Sequence, residues 1–323
     1  MAKSDSEVMV AIGGYFGLEL RHGEYYHKYA IRLNTARNCF EYVLRSRQYT
    51  KVYIPYYTCE VMLEPLNKLS VQYEFYSVNE KLEPVVLPNL KENEAFLYTN
   101  YYGLKQDCVL KLASCFGNRL IVDNAQAFYA KPIHGIDTFY SARKFFGVAD
   151  GAYLYTDCRL DVNFEQDQSY DRMSHLQKRI DVSAEFGFSD FRANDESLIG
   201  QPIKKMSNLT AAILGSIDYD NAAKQRRENY LFLDFALGKH NRIHFELRSD
   251  AVPMVYPYWT NDDSLRKKFI EHRTYVATYW PNVVEWCCEN DIEYKLTKYM
   301  LPLPCDQRYG DETMERIFKI IKS

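Results

Sequence analysis

Short apolar stretches alternate with longer segments of helical period over the first half of the chain, and this alternation constrains the fold more than any other feature. The apolar stretches have the length of strands, and they lie at 52–55, 71–76, 95–99, 120–123, 136–141 and 152–156. Segments 35–47 and 59–69 place their apolar residues three and four positions apart, as in a helix with one buried face. We therefore predict an α/β fold in which helices cover a mixed, mostly parallel sheet.

The second half of the chain is less regular. The polar segment 162–205 has few clear periods, which is typical of a lid, an interface excursion or a partly ordered connection. The residue pattern of segment 207–237 predicts one long helix. After it come a strand-like stretch at 252–259 and helical stretches at 264–277, 283–290 and 311–322. This mixture predicts a smaller α+β unit at the C-terminal end.

A chain of 323 residues is long enough for one large domain and a smaller companion. The first thirty residues predict an extended arm, because Gly13, Gly14 and Gly17 interrupt any helical run. We predict that the arm and a large domain occupy 1–237. The small domain is expected at 238–323.

The charge pattern argues against a nucleic-acid partner, because acidic and basic residues are scattered and the formal net charge is -3. The apolar runs are all shorter than the roughly 20 residues that a membrane span needs, so no membrane partner is expected. Residues 1–7 are polar and charged, unlike the start of a signal peptide. The eight cysteines have no framework spacing, and we predict a reduced, cytoplasmic protein.

Several common catalytic motifs do not occur in the sequence. The glycines at 13–17 do not form a dinucleotide fingerprint, because no strand precedes them. The seven histidines lie apart, and His22 and His27 have no carboxylate or cysteine at ligand spacing, so no metal site is predicted. The chain also lacks the G-x-S-x-G elbow of serine hydrolases.

Three polar residues in the segment 120–147 point to one chemistry. Asp123 closes an apolar strand, and ligands of open α/β sheets bind along that carboxyl edge. Ser141 lies three residues before Lys144, where another strand runs into a loop that contains glycine. A single loop lysine is usually solvated and an aspartate at a strand end is often a cap, so neither alone indicates a site. Together they offer the amine, the carboxylate and a phosphate donor that pyridoxal 5′-phosphate (PLP) requires.

Five motifs of this sequence are similar to motifs of one family. They are Asp123-Asn-Ala-Gln126-Ala, Lys144-Phe-Phe-Gly-Val-Ala-Asp-Gly151-Ala, Pro55-Tyr-Tyr-Thr58, Lys205-Met-Ser-Asn-Leu-Thr-Ala-Ala212 and Leu301-Pro-Leu-Pro304. Over residues 30–320 the chain thus resembles the DegT/DnrJ/EryC1/StrS aminotransferases, which make amino sugars on nucleotide-linked substrates. The resemblance implies a fold-type-I PLP architecture, like that of aspartate aminotransferase.

The resemblance also implies roles for three residues around the cofactor ring. Lys144 would bind PLP as an internal aldimine and would then move the proton between substrate and cofactor. Either task needs a neutral amine. Asp123 would pair with the pyridinium nitrogen, and Gln126 would donate to the phenolic oxygen of the ring.

A second set of residues would hold the phosphate. The resemblance assigns this role to the Ser141 hydroxyl and to the backbone amides of Thr35 and Ala36, at the start of a helix. Thr58 would add a phosphate or ring contact. The family places its phosphate serine five residues before the lysine, where this chain has Phe139. The serine at minus three instead matches the Ser-x-x-Lys of other fold-type-I enzymes.

Two further departures concern the surroundings of the cofactor. Cys59 stands where the family has an aromatic residue that stacks on the ring, so Tyr57 or Tyr101 is expected to cover that face. Ile203 stands where the family has an asparagine that reaches the phosphate of the neighbouring subunit, and Lys204 beside it is a candidate substitute.

We predict a PLP-dependent aminotransferase that takes nitrogen from an amino acid, with glutamate as the expected donor. The acceptor would be a keto substrate, with a nucleotide-linked keto sugar as one candidate. Active sites of such enzymes are shared between subunits, so a homodimer is expected. A PLP-dependent lyase on the same fold and a degenerate, non-catalytic relative are the alternatives. Arg37 and Arg143 are each predicted either to hold a substrate carboxylate or diphosphate or to form a salt bridge.

Overall fold

The computed structural model describes residues 12–262 and 264–323, so the prediction about a signal peptide at 1–7 lies outside the described residues. A seven-stranded sheet dominates, with the strands in the order β1-β7-β6-β5-β4-β2-β3. The strands are β1 (Ile31–Leu33), β2 (Lys51–Pro55), β3 (Gln72–Tyr76), β4 (Glu94–Thr99), β5 (Leu120–Asn124), β6 (Asp137–Ser141) and β7 (Ala152–Tyr155). Neighbours from β6 to β3 pair in parallel, whereas β7 is antiparallel to both β6 and β1. The mostly parallel sheet is therefore confirmed.

The central strands are buried on both faces, as expected for a parallel sheet between helices. Leu97, Ile121 and Phe139 belong to the apolar cluster on one face. Phe96 and Val122, from the same strands, point to the other face and join the larger cluster there. This alternation follows from the two-residue period of a strand.

Three helices accompany this part of the sheet: α1 (Ala36–Arg47), α2 (Leu63–Lys68) and α3 (Gln106–Phe116). Helix α1 begins after Thr35, whose side chain accepts a hydrogen bond from the backbone N–H of Asn38 at 3.1 Å. The predicted N-cap is therefore confirmed. The buried face of α1 packs in the same cluster as Phe139.

The segment 162–205 is more regular than the sequence predicted. It contains α4 (Ser174–Asp181) and α5 (Phe188–Ser197). The period of these helices is hard to recognise because apolar residues such as Phe188 and Phe191 point outward. Helix α5 is anchored by Asn194, whose Nδ2 donates to the carbonyl of Ala149 at 3.0 Å.

The prediction of one long helix over 207–237 is wrong. The chain forms α6 (Asn208–Gly215) and α7 (Tyr219–Leu237), separated by a short break. Asp218 caps the start of α7, because its side chain accepts a hydrogen bond from the N–H of Asn221 at 3.0 Å. Apolar spacing alone did not reveal the break.

The C-terminal part mixes strands and helices, as predicted. Strands β8 (Val255–Trp259) and β9 (Met300–Pro304) pair in antiparallel fashion. The helices are α8 (Leu265–Glu271), α9 (Val283–Trp286), α10 (Ile292–Tyr299) and α11 (Asp311–Lys322). Among residues 12–262 and 264–323, no helix has both the length and the apolar character needed to cross a bilayer. The domain boundary at 237/238 stays a prediction.

Candidate active site

The polar residues singled out in the sequence lie along the carboxyl edge of the sheet. Strands β4, β5 and β6 are parallel neighbours, and their register pairs Thr99 with Asp123 and Asp123 with Phe139. Ser141 is the last residue of β6. Parallel strands end at the same side of a sheet, so Thr99, Asp123 and Ser141 share one edge.

Asp123 is almost fully buried, with 6% of its surface exposed. Its Oδ1 accepts a hydrogen bond from the N–H of Ala125 at 2.8 Å, and its Oδ2 accepts one from the Thr99 hydroxyl at 3.5 Å. Burial raises the pKa of Asp123, while the positive charge of Lys144 and the two hydrogen bonds lower it less than burial raises it. The structure thus brings the predicted amine within electrostatic reach of the predicted carboxylate.

Lys144 lies in the turn that follows β6, and its side chain is exposed. The backbone of this turn is fixed, because the N–H groups of Phe145 and Phe146 both donate to the carbonyl of Ala142, at 3.0 and 2.9 Å. The Lys144 amine itself makes no hydrogen bond or salt bridge within the described part of the chain. A fixed backbone with a free amine suits a group that must react with a carbonyl carbon.

Gln126 has one amide atom engaged and one free. Its Oε1 accepts a hydrogen bond from the N–H of Tyr102 at 3.0 Å, which sets the orientation of the amide. Its Nε2 is buried and has no acceptor among residues 12–262 and 264–323. A buried donor without a partner costs about 1–3 kcal/mol. The phenolic oxygen of a PLP ring is an acceptor that would satisfy it, so this residue fits the cofactor.

The start of α1 lies beside the end of β6. The carbonyl of Asn34 accepts from the N–H of Gly151 at 2.6 Å, and the carbonyl of Gly151 accepts from the N–H of Ala142 at 3.0 Å. Gly151 is required here, because its φ is +112° and an added Cβ would lie 2.8 Å from Thr210. These bonds bring the first turn of α1 next to Ser141.

This corner has the donors that a phosphate needs. The Thr35 hydroxyl is engaged in capping, because it also donates to Asn38 Oδ1 at 2.5 Å, but the amides of the first turn, from Ala36 onward, lack helical partners. The Ser141 hydroxyl forms no hydrogen bond with other described residues. Phe139 is fully buried beneath α1, so the serine at minus three is the one at the edge.

Thr58 follows β2 and is buried. Its carbonyl accepts from Asn282 Nδ2 at 3.0 Å, and its hydroxyl has no partner within the described ranges. The hydroxyl is therefore available for the predicted cofactor contact. The contact itself stays a prediction.

Arg37 and Arg143 both form salt bridges. Arg37 Nη1 lies 2.6 Å from Glu64 Oε2, and Arg143 Nη2 lies 2.8 Å from Asp195 Oδ1. The salt-bridge alternative is thus the one observed for each arginine.

The two tyrosines proposed to cover the ring belong to a buried aromatic cluster. Tyr57 and Tyr101 stack on each other with ring centroids 5.6 Å apart, and Trp280 packs in a T-shaped arrangement with its ring centroid 4.6 Å from that of Tyr57. The hydroxyls of Tyr57 and Tyr102 are 3.0 Å apart. Tyr57 and Tyr101 pack against each other, and the cover of the cofactor ring by one of these two tyrosines stays a prediction.

Ile203 and Lys204 stand where the family has the asparagine that reaches the partner's phosphate. Here both residues contact their own chain. Ile203 is buried in the cluster beneath α1. The carbonyl of Lys204 accepts from the N–H of Asn34 at 3.0 Å, and its Nζ lies 3.8 Å from Asp167 Oδ1. A role for Lys204 at a partner's phosphate stays a prediction.

Two residues of the site were missed in the sequence. Thr99 ends an apolar strand just as Asp123 does, so the same edge argument could have found it. Tyr102 gave no such signal, because its φ of 58° and its bond to Gln126 depend on the tertiary fold.

No family model and no curated protein matches the sequence. Solved structures, in contrast, match over 91% of the chain. A DegT DnrJ EryC1 StrS aminotransferase from Brucella abortus has a TM-score of 0.61 at 13% identity, with 85% of that chain covered. Spr1654 from Streptococcus pneumoniae, assigned as a sugar aminotransferase and solved in its PMP form, has 0.59 at 12% identity, with 86% covered. DesI, solved in the presence of its TDP-sugar product, has 0.59 at 14% identity, with 79% covered. At this identity the likeness establishes the fold, and the fold-type-I architecture is confirmed.

Proposed function

We propose that this protein is a PLP-dependent aminotransferase of the DegT/DnrJ/EryC1/StrS type, with Lys144 as the amine that holds the cofactor. One observation carries the proposal. At a single sheet edge, the structure places the buried carboxylate of Asp123, a free lysine amine within its electrostatic reach, and the unpaired Nε2 of Gln126. The fold-type-I architecture supports it independently.

Bound PLP supplies an electron sink for negative charge on the carbon next to the transferred nitrogen. Asp123 would pair with the ring nitrogen, and its buried surroundings would strengthen that interaction. Gln126 Nε2 would donate a hydrogen bond to the phenolic oxygen of the ring. The Lys144 amine would take up and release the proton that is moved in the reaction. Its exposed, unpaired side chain leaves it free to move.

The phosphate of the cofactor would be held where α1 begins. The Ser141 hydroxyl would donate one hydrogen bond, and the amides of Thr35 and Ala36 would add the partial positive charge of a helix N-terminus. The Thr58 hydroxyl would supply one more donor.

The substrates proposed are glutamate as the amino donor and a nucleotide-linked keto sugar as the acceptor. Support comes from DesI, which was solved with its TDP-sugar product. The side chain of Lys144 is exposed in a single chain, so a substrate could reach its amine from solvent.

We also propose a cytoplasmic homodimer whose subunits complete each other's sites. Five exposed apolar side chains lie on α4, on α5 and on the segment between these helices: Ile180, Val182, Phe186, Phe188 and Phe191. Helix α5 adjoins the Lys144 turn through the salt bridge between Arg143 and Asp195. A group of exposed apolar side chains is typical of a subunit interface. Light scattering on the purified protein tests this point, and a monomer at micromolar concentration would contradict it.

The test of the reaction is spectroscopic. The protein loaded with PLP is mixed with glutamate, and the absorbance of the bound cofactor is followed. Conversion to the pyridoxamine phosphate form with release of 2-oxoglutarate is expected. Release of ammonia without that conversion would instead show a lyase. A protein that takes up no PLP at all would show the degenerate relative.

A further inference from the structure

Arg226, in the first half of α7, is a buried charge without a carboxylate partner. Only 1% of its surface is exposed, and within the described ranges no acidic oxygen lies within salt-bridge distance of its guanidinium. Burial lowers the pKa of Arg226. Placing an unpaired charge in the interior costs several kcal/mol, and an apolar side chain of the same size would avoid that cost. A contribution to stability is therefore a poor explanation for this residue.

The hydrogen bonds of Arg226 all go to neutral acceptors from three separate segments. Nε donates to Gln307 Oε1 at 2.7 Å, and Nη1 donates to the carbonyls of Pro253 and Met254 at 3.2 and 3.1 Å. Nη2 donates to the carbonyl of Phe145 at 3.4 Å. The guanidinium carbon also lies 4.5 Å from the centroid of the Phe145 ring.

Phe145 directly follows Lys144 in the chain and is held at three points. Its N–H donates to Ala142, its carbonyl accepts from both Arg226 and Gln307 Nε2, the latter at 2.9 Å, and its ring faces the guanidinium. Each of these contacts restrains the peptide plane next to the lysine. The backbone next to Lys144 is therefore fixed by contacts that do not involve its amine.

We propose that Arg226 is a positioning residue that holds the Lys144 turn in register with the rest of the site, acting through Phe145. This inference rests on the proposed function. The segment at Met254 extends the connection, because its N–H donates to the carbonyl of Tyr102 at 2.9 Å, and Tyr102 in turn orients Gln126. One buried cation thus connects the supports of the lysine and of the ring-binding amide.

The test uses the full-length protein, both without and with PLP, and two substitutions. Arg226→Met keeps the length and removes the donors and the charge, whereas Arg226→Lys keeps the charge with fewer donors. The matched control is Arg227→Met on the same helix, because Arg227 donates to the carbonyls of Arg248 and Ala251 and not to the turn. Hydrogen exchange of peptides covering 142–148 is measured in the apo protein, and kcat and KM in the loaded protein.

For Arg226→Met we expect exchange in 142–148 to rise about tenfold. We expect kcat to fall about a hundredfold with KM for the donor nearly unchanged, because misplacement of the lysine affects the proton transfer and not donor binding. Arg226→Lys should lie between this variant and the wild type, and Arg227→Met should change neither quantity. A folded Arg226→Met protein with wild-type exchange and kcat would overturn the proposal.

If Arg226→Met does not fold, Gln307→Leu provides the same test, because it removes the second donor to the Phe145 carbonyl. Increased exchange at 142–148 with a lower kcat supports the proposal, and wild-type values for both overturn it. Failure of the proposed function is distinguishable. In that case the wild type shows no transamination, while the effect of Arg226 on exchange in the apo protein still decides whether the arginine fixes the turn.

Discussion

The two halves of the candidate site are built in opposite ways. Asp123 and Gln126 are buried, and their side chains are held by backbone N–H groups of Ala125 and Tyr102. Lys144 has a restrained backbone, yet its side chain is exposed and unpaired within the described residues. Under the proposed function, this difference means that the groups that would stabilise charge on the ring are preorganised, whereas the amine that would change partners during the reaction is not held by other side chains.

The largest effect is expected from Lys144→Ala. Transamination should fall by about four orders of magnitude, because alanine can neither bind the cofactor covalently nor transfer a proton. The stability of the apo protein should change by less than about 0.5 kcal/mol, since the side chain makes no hydrogen bond or salt bridge in the described structure. Urea unfolding and a coupled 2-oxoglutarate assay measure the two quantities.

The matched control is Lys131→Ala, which removes another exposed loop lysine and should leave both quantities unchanged. A Lys144→Ala protein that keeps more than about a tenth of the activity would break the distinction between the halves, because the mobile group would then be dispensable.

A smaller effect on activity, about a thousandfold, is expected from Asp123→Asn, because an amide does not hold a proton on the ring nitrogen. Its effect on the stability of the apo protein depends on pH. Burial raises the pKa of Asp123, so its ionised form disfavours folding. This penalty is absent below the ordinary aspartate pKa, grows as pH rises through the window up to the raised pKa, and is complete above it.

The Asp123→Asn protein should therefore be more stable than the wild type at neutral pH, and the difference should vanish in acid. Thermal unfolding between pH 3, about one unit below the ordinary aspartate pKa, and pH 8, about four units above it, measures this. Asp137→Asn is the control. It breaks a buried pair with Arg47, so it should destabilise the apo protein without affecting the cofactor spectrum. A stability difference between Asp123→Asn and the wild type that does not change with pH would contradict the burial argument.

The smallest effect is expected from Gln126→Leu. The substitution leaves the N–H of Tyr102 without its acceptor, which should cost the apo protein about 1–3 kcal/mol. Loss of the Nε2 donor should also weaken PLP binding about tenfold. Urea midpoints and fluorescence titration with PLP provide the measurements. Gln106→Leu, which removes an acceptor of Asn100, should leave PLP affinity unchanged. Equal affinities for Gln126→Leu and the wild type would show that Nε2 does not face the cofactor.

The sequence predicted the parts of the fold that depend on local pattern. Six strands of the large sheet were recognisable because each is a short apolar run, and Thr35 was recognisable as a cap from its position before a helical period. Strand β1 was missed, since Ile31–Leu33 has three residues and one of them is exposed. The break before α7 was missed because it depends on the single capping bond of Asp218.

In the candidate site, too, some residues could be predicted from the sequence and others could not. Asp123, Ser141 and Lys144 could be placed at one edge because strand ends in a parallel sheet share a side. The contacts that hold these residues in place could not be predicted. Tyr102 meets Gln126 across 24 residues of sequence and Arg226 meets Phe145 across 81, and neither distance follows from local spacing. Long-range contacts of this kind are set by packing of the whole chain.

The most direct test of the central claim is the location of the cofactor on the chain. The PLP-loaded protein is reduced with borohydride, digested, and the peptide that carries the pyridoxyl group is identified by mass spectrometry. We expect one modified residue, Lys144, at a stoichiometry near one per chain. Modification of a different lysine, or a loaded protein that yields no modified peptide, would contradict this account.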